Sequence, residues 1–210
     1  MFLDSWTIMQ LNPEEQYRSL MATVRRRLDL ISMLQSAGTD AFARAESTAF
    51  QGRKVLEGIA FGCLVALENG LNEVPRDARG QWNADRIFAS LKGKGLGIIP
   101  NPSVIRAATE AEFREHNVSH VVEGLPDRVM SHGDLKAVYA RLHKWLHEIN
   151  PYVWGDQAAF LDQHQNELYD DLTRVRGAIE RHFIAIGGRG FFCTLWDSHD
   201  GTTKILALNK

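Results

Sequence analysis

DLKAVYARLHKWLHEINPY, residues 134–152, is the stretch whose reading decides the fold. Leu135, Val138, Leu142, Trp145, Leu146 and Ile149 recur every three or four positions with polar residues between them, the spacing of one buried helical face. Ser131 and Asp134 form a capping-box-like start, and Pro151 cannot continue the helix. The spacing predicts a helix over 134–150 that packs against others of its kind.

Working outward, the flanking segments repeat this period. Downstream, Leu161, Leu168, Leu172, Val175, Ile179, Phe183 and Ile186 predict a longer helix from about Asp156 to Ile186, stopped by Gly187 and Gly188. Upstream, Asn12, Pro13 and Glu15 suit the cap, first position and third position of a helix whose stripe is Tyr17, Leu20, Met21, Val24, Leu28 and Ile31. Residues 45–69 read as a central helix with core stripe Leu56, Ile59, Ala60, Cys63 and Leu67. Its Gly52, Gly58 and Gly62 each cost about 1 kcal/mol against alanine in helix propensity, which is tolerable where neighbouring helices must come close. Asn83 caps a short helix through Leu91, and a further short one is expected over Ile105–His116.

The tail, RGFFCTLWDSHDGTTKILALNK (189–210), has two β-rich runs around Asp200-Gly201 and reads as a β-hairpin. The expectation is a mainly α fold: a bundle of about five helices over residues 1–188, with residues 189–210 a small C-terminal β-hairpin appended to the same domain. The helices around 45–69, 134–150 and 156–186 should form the core.

Composition narrows the function. The 210 residues carry 24 Lys and Arg against 26 Asp and Glu, a net charge of -2. A protein that coats nucleic acid draws much of its affinity from phosphate neutralisation and is strongly basic. This chain can therefore meet nucleic acid only through a local patch, and the Arg25-Arg26-Arg27 run reads first as a solvated face. Cys63 and Cys193 lie in apolar runs and read as buried free thiols. The N-terminus has no basic region ahead of an apolar one, and no apolar run reaches the roughly 18–20 residues a membrane span needs. A cytoplasmic protein with no membrane attachment is expected.

Several chemistries lack their motifs. KGKGLGIIPNPS (92–103) leads into prolines and is not a P-loop. There is no Gly-x-Ser-x-Gly elbow and no Gly-x-Gly-x-x-Gly after a strand, so no cofactor is expected. His143 and His147, one helical turn apart, could hold a metal if Asp162 or His164 supplied a third ligand. Lys144 stands where a zincin would have Glu, and the plain reading is two histidines making hydrogen bonds at a helix end. No metal is assigned.

Arg141 and His147 give the other reading. The Arg-x5-His spacing resembles the Arg-x4-6-His motif of the HEPN superfamily, helical bundles of which many are metal-independent ribonucleases acting as dimers. It occurs three times, at Arg114/His120, Arg141/His147 and Arg176/His182. Arg141/His147 has the strongest helical context, whereas His182 falls on an apolar seam and reads as a core histidine. Leu142 follows Arg141 where the family commonly has a polar residue. The two side chains also leave a straight helix about 120° apart.

The resemblance implies a homodimer that binds and cleaves RNA, in a toxin or antiphage setting. His147 would transfer the proton, Arg141 hold the phosphate, and His143, Asn150 and Tyr152 contact substrate. Arg53 and Glu57 would support the site from the 45–69 helix. The alternative from a different class is a non-enzymatic helical module that dimerises or holds a protein partner in a larger complex. Its near-neutral charge favours the module, while the His/Arg/Asn grouping favours the enzyme.

Overall fold

The computed structural model describes residues 12–38, 40–68, 78, 80–94 and 96–208. The expectation for the N-terminal segment 1–11 and the last residue of the expected 45–69 helix lie outside them.

The first helix, α1 (Pro13–Gln35), begins where the cap residues demand: Asn12 Oδ1 accepts from the Glu15 amide at 2.8 Å. Its Tyr17, Met21, Val24, Leu28 and Ile31 are buried along the expected stripe. Helix α2 (Ala41–Glu68) runs antiparallel to it, since Tyr17 meets Gly62, Val24 meets Gly58, and Arg27 bonds Gln51. A Cβ added at Gly58 would lie 2.6 Å from Val24 Cγ2, and one at Gly52 would lie 2.5 Å from Leu172 Cδ2. The glycines of α2 are the price of three close neighbours, and α2 is the central helix.

Helix α3 (Ala84–Gly93), capped by Asn83, buries Ile87, Phe88 and Leu91. The decisive stretch forms α5 (His132–His143), whose Ser131/Asp134 capping box is closed in both directions. Leu135, Val138, Leu142 and Trp145 are buried as its period requires. A later helix, α7 (Gln157–Ile179), places Phe160, Leu168, Leu172, Val175 and Ile179 in the same core. Between them lie a 3-10 turn (Lys144–Leu146) and a one-turn helix, α6 (Pro151–Trp154). The α2, α5 and α7 core is therefore as expected, with α1 and α3 packed on it.

The strands correct the sequence reading. The protein is mainly α, but in place of a lone hairpin it carries a five-stranded antiparallel sheet in the order β2-β1-β3-β4-β5. Residues 181–186 do not extend the long helix. They form β3 (Arg181–Ile186), with His182, Ile184 and Ile186 buried and Arg181 and Ala185 exposed, a period of two. Gly187 and Gly188, at φ 59° and 76°, form its tight turn into β4 (Arg189–Thr194). Two consecutive positive-φ residues suit a turn whose twist matches that of paired strands. The Gly pair therefore ends a strand and not the long helix, which already stops at Ile179.

The expected helix over Ile105–His116 is also corrected. β1 (Asn101–Ala107) contains the β-branched Val104 and Ile105, which pair with Glu123 and Val122 of β2 (His120–Gly124). Only Glu110–His116 is helical (α4), set by a Thr109/Glu112 capping box and ended by Asn117 at φ 52°. The final strand, β5 (Lys204–Ala207), pairs with β4 across the expected Asp200-Gly201 turn. The sheet is tied to α1 by Tyr17–His182, Trp196–Asp29 and Arg25–Gly201 bonds.

Cys63 and Cys193 are free and buried, and burial pushes each thiol up to about 12. Of the Arg25–Arg27 run, Arg25 binds the Gly201 carbonyl and Arg27 binds Gln51, so the run knits elements together as well as facing solvent.

Candidate functional site

Helix α5 ends about two turns earlier than the 134–150 reading expects. His143 is its last residue, the 3-10 turn follows, and His147 has extended backbone at φ -119°, ψ 150°. The two rings still meet. His143 Nε2 and His147 Nε2 are 3.0 Å apart, with the rings edge to face at a 4.4 Å centroid separation. The pair belongs to a chain that starts on α2. Arg53 Nη1 bonds His143 Nδ1 at 2.7 Å, and Arg53 Nη2 donates to the Tyr139 hydroxyl. Tyr139 donates in turn to Glu57 Oε1 at 3.3 Å, and Lys54 pairs with the other Glu57 oxygen at 2.7 Å.

The chemistry of the donors fixes the protonation pattern. A guanidinium only donates, so His143 Nδ1 must accept, and the neutral ring carries its hydrogen on Nε2. That hydrogen goes to His147 Nε2, which leaves His147 with its own hydrogen on Nδ1. Desolvation, then the Arg53 charge, then His147 hold the His143 pKa below its ordinary value. The cation bonded to the histidines is thus Arg53, and both rings are exposed.

Arg141 is elsewhere engaged. Its Nε and Nη2 form a fork on Asp171 of α7 at 2.6 and 2.7 Å, and Glu167 lies 3.4 Å from Nε. The Asp171 side chain is only 5% exposed, so this is a partly buried, bidentate pair that pins α5 to α7. Hydrogen bonding to Asp171, ahead of its coulombic attraction, raises the Arg141 pKa. Among the described residues no hydrogen bond joins Arg141 to His147: Arg141 turns from α5 to α7, whereas His147, beyond the end of α5, meets His143.

Asn150 and Tyr152 have distinct positions. Asn150 Oδ1 accepts from the Tyr152 amide at 3.0 Å and caps α6, while the Tyr152 side chain is 97% exposed. The expected supporting residues Arg53 and Glu57 are both brought to this chain, Arg53 on His143 and Glu57 on Tyr139.

The other two Arg-x5-His matches are used structurally. Arg114 pairs with Glu110, and His120 begins β2 beside Ser119. Arg176 lies over the Trp196 ring, while His182 is fully buried on Tyr17. Among the described residues no three His, Cys, Asp or Glu side chains are grouped so as to hold a metal ion, and no helix is long and apolar enough to cross a membrane.

Sequence reasoning missed Tyr139 and Asp171. Tyr139 stands four residues before His143, hence on the same edge of α5, and that spacing could have flagged it. Asp171 falls inside the Leu168, Leu172 and Val175 stripe, where a carboxylate needs a partner.

Comparison of the chain with protein families, with curated proteins and with solved structures finds no match.

Proposed function

We propose that this chain is a HEPN-like RNA-binding protein that cleaves RNA without a metal, with His147 as the proton-transfer group. The observation that carries the reading is the Arg53–His143–His147 chain at the exposed end of α5. RNA supplies its own nucleophile. When substrate separates the two rings, the His147 Nε2 lone pair accepts the proton of a ribose 2′-hydroxyl as that oxygen attacks the adjacent phosphorus. The leaving 5′-oxygen takes a proton from solvent or from a charged histidine, which closes the balance.

The phosphate role falls to Arg53 in this reading. A phosphate reaching Arg141 would meet a guanidinium already held at two points by Asp171, with the Glu167 carboxylate beside it. Arg53 already lies one hydrogen bond from His143, and a phosphate oxygen can replace the Tyr139 hydroxyl on its Nη2. In this reading Asn150 and Tyr152, three and five positions after His147, contact the RNA strand. Homodimerisation through the 132–152 region, and a toxin or antiphage setting, belong to the same proposal through the resemblance.

The test is cleavage of single-stranded and hairpin RNA by the wild type and by His147→Ala, His143→Ala, Arg53→Ala and Arg141→Ala. Cleavage should vanish in the first three with the thermal midpoint of His147→Ala unchanged, and EDTA should have no effect. Wild-type cutting by His147→Ala removes that residue from the mechanism, and loss of activity in EDTA favours a metal.

One observation favours the non-enzymatic reading. Tyr152 and Val153, 97% and 62% exposed, stand together on α6 as side chains suited to a partner's surface. A chain that cuts none of these RNAs, and that light scattering shows as a dimer lost in Tyr152→Ser/Val153→Ser, is a docking module.

A further inference from the structure

At the other end of α5 the structure holds a second polar cleft that the histidine site does not use. A cavity of about 390 Å³ lies between the Pro126–Arg128 3-10 turn and the last turns of α7, with Arg128, Val129, Met130, Arg174 and Glu180 in its walls. A second cavity, of about 370 Å³, shares Arg128 and Glu180 and adds Arg181. Helix α5 separates this region from His143 by 12 residues, about 18 Å of helix.

The charges here are unspent. The Arg128 and Arg181 side chains make no hydrogen bond or ion pair among the described residues. The ion pair of Arg174 is to Asp171 at 4.0 Å, a carboxylate that Arg141 already holds at two points. Arg128, Arg174 and Arg181 thus line these two cavities, beside Arg176, which lies over the Trp196 ring, in a chain whose overall charge is -2. Asp127 and Glu180, also without ion pairs, stand among them. Val129, 48% exposed, and the buried Met130 supply an apolar wall.

That mixture specifies a ligand class. Guanidinium forks match phosphate oxygens. The two carboxylates would repel a bare anion, so they call for hydroxyl or amine donors on the same molecule. The apolar wall suits a flat ring, and 390 Å³ falls within the range of small-molecule sites. We infer that this cleft binds a nucleoside monophosphate unit, with the phosphate on Arg128 and Arg181, the ribose hydroxyls or base amine on Glu180 and Asp127, and the base against Val129 and Met130. The unit is either a free mononucleotide or the 5′-phosphorylated end of an RNA strand. The assignment is independent of the ribonuclease reading, because no residue of the His143/His147 chain takes part.

Isothermal titration of the full chain with AMP, GMP, CMP and UMP tests it, with adenosine and inorganic phosphate as controls. Tetraribonucleotides with and without a 5′-phosphate form the second arm. At least one phosphorylated nucleotide unit should bind saturably, adenosine should not, and inorganic phosphate should bind at least about tenfold more weakly, since it gains neither the ring nor the hydroxyl contacts. Arg128→Ala/Arg181→Ala should weaken binding at least about tenfold and Arg128→Lys/Arg181→Lys by less, because lysine keeps the charge and loses the fork. His147→Ala should bind as the wild type does, which separates this site from the proposed catalytic one. Binding of mononucleotides but not of the tetranucleotides identifies a free nucleotide as the ligand, and preference for the 5′-phosphorylated over the 5′-hydroxyl strand identifies an RNA end. Absence of saturable binding by any nucleotide, inorganic phosphate binding equally well, or an undiminished affinity in the double alanine variant overturns the inference.

Discussion

Acid should destabilise this fold through one histidine. His182 on β3 is fully buried, with Tyr17 Oη 2.8 Å from Nε2 and the Ile179 carbonyl 2.9 Å from Nδ1. Both contacts are satisfied by the neutral ring, which donates from Nδ1 to the carbonyl and accepts the Tyr17 hydroxyl at Nε2. A second proton would place an uncompensated charge in the core and turn the Tyr17 contact against itself. Burial accordingly lowers the His182 pKa to about 4, with the bond to Ile179 opposing the shift. The unfolded chain has the ordinary value near 6.5 and binds more protons between these two values. Stability from this group is therefore intact above about pH 6.5 and is lost as pH falls toward 4. By linkage, the loss is about 2 kcal/mol at pH 5 and about 3 kcal/mol at pH 4.

His132, His143 and His164, also lowered by desolvation, add terms of the same sign, so the measurement must isolate His182. Urea titrations at pH 7, 6, 5 and 4.5 on the wild type and on Tyr17→Phe/His182→Leu do this. The double variant removes both polar partners together and leaves no orphaned hydroxyl. The wild type should lose about 2 kcal/mol more than the variant between pH 7 and 5. Parallel pH dependences, or a His182 titration by NMR with a midpoint above 6, would refute the reasoning.

Three further outcomes follow from packing and pairing. Gly58→Ala gains about 1 kcal/mol of helix propensity but drives a Cβ into the stiff, buried Val24 side chain, so the urea midpoint should fall, with overpacking costing about 1–3 kcal/mol; a higher midpoint would mean that α1 and α2 are further apart. Arg141→Ala strands the buried Asp171 carboxylate and should cost about 3–5 kcal/mol, with Arg141→Ala/Asp171→Asn recovering part of it; a change within experimental error means the fork is not formed. Leu142→Ala and Leu172→Ala, at positions 1% and 3% exposed, should each cost about 2–5 kcal/mol by denaturant titration, and a few tenths would place these residues outside the core.

Periodicity by itself determined the helical part of this protein. A stripe such as Tyr17, Met21, Val24, Leu28 and Ile31 has one low-energy solution, a helix with that face buried, and the Asn12, Asn83 and Ser131 caps mark starts through purely local bonds. The glycines of α2 announced close neighbours because small residues cost helix propensity and need a compensating contact. Strands were less legible. Residues 181–186 carry Phe183 and Ile186 at a spacing that also continues the helical seam of α7, and only pairing with β4 and β1 decides between periods of two and 3.6. The same holds for Val104 and Ile105, whose partners on β2 lie more than 15 residues away.

The candidate site divides the same way. Local spacing brought out His143, His147, Arg53 and Glu57, because the members of each pair stand four positions apart. Tertiary structure decided which arginine meets the histidines. Arg141 shares a helix with His143 but points to Asp171, whereas Arg53 arrives from a helix 90 positions earlier and bonds His143 directly. A sequence carries the direction of a side chain only relative to its own helix. Which carboxylate or ring waits there is set by how α2, α5 and α7 pack, and that packing turns Arg141 into a structural clamp and leaves Arg53 at the histidine pair.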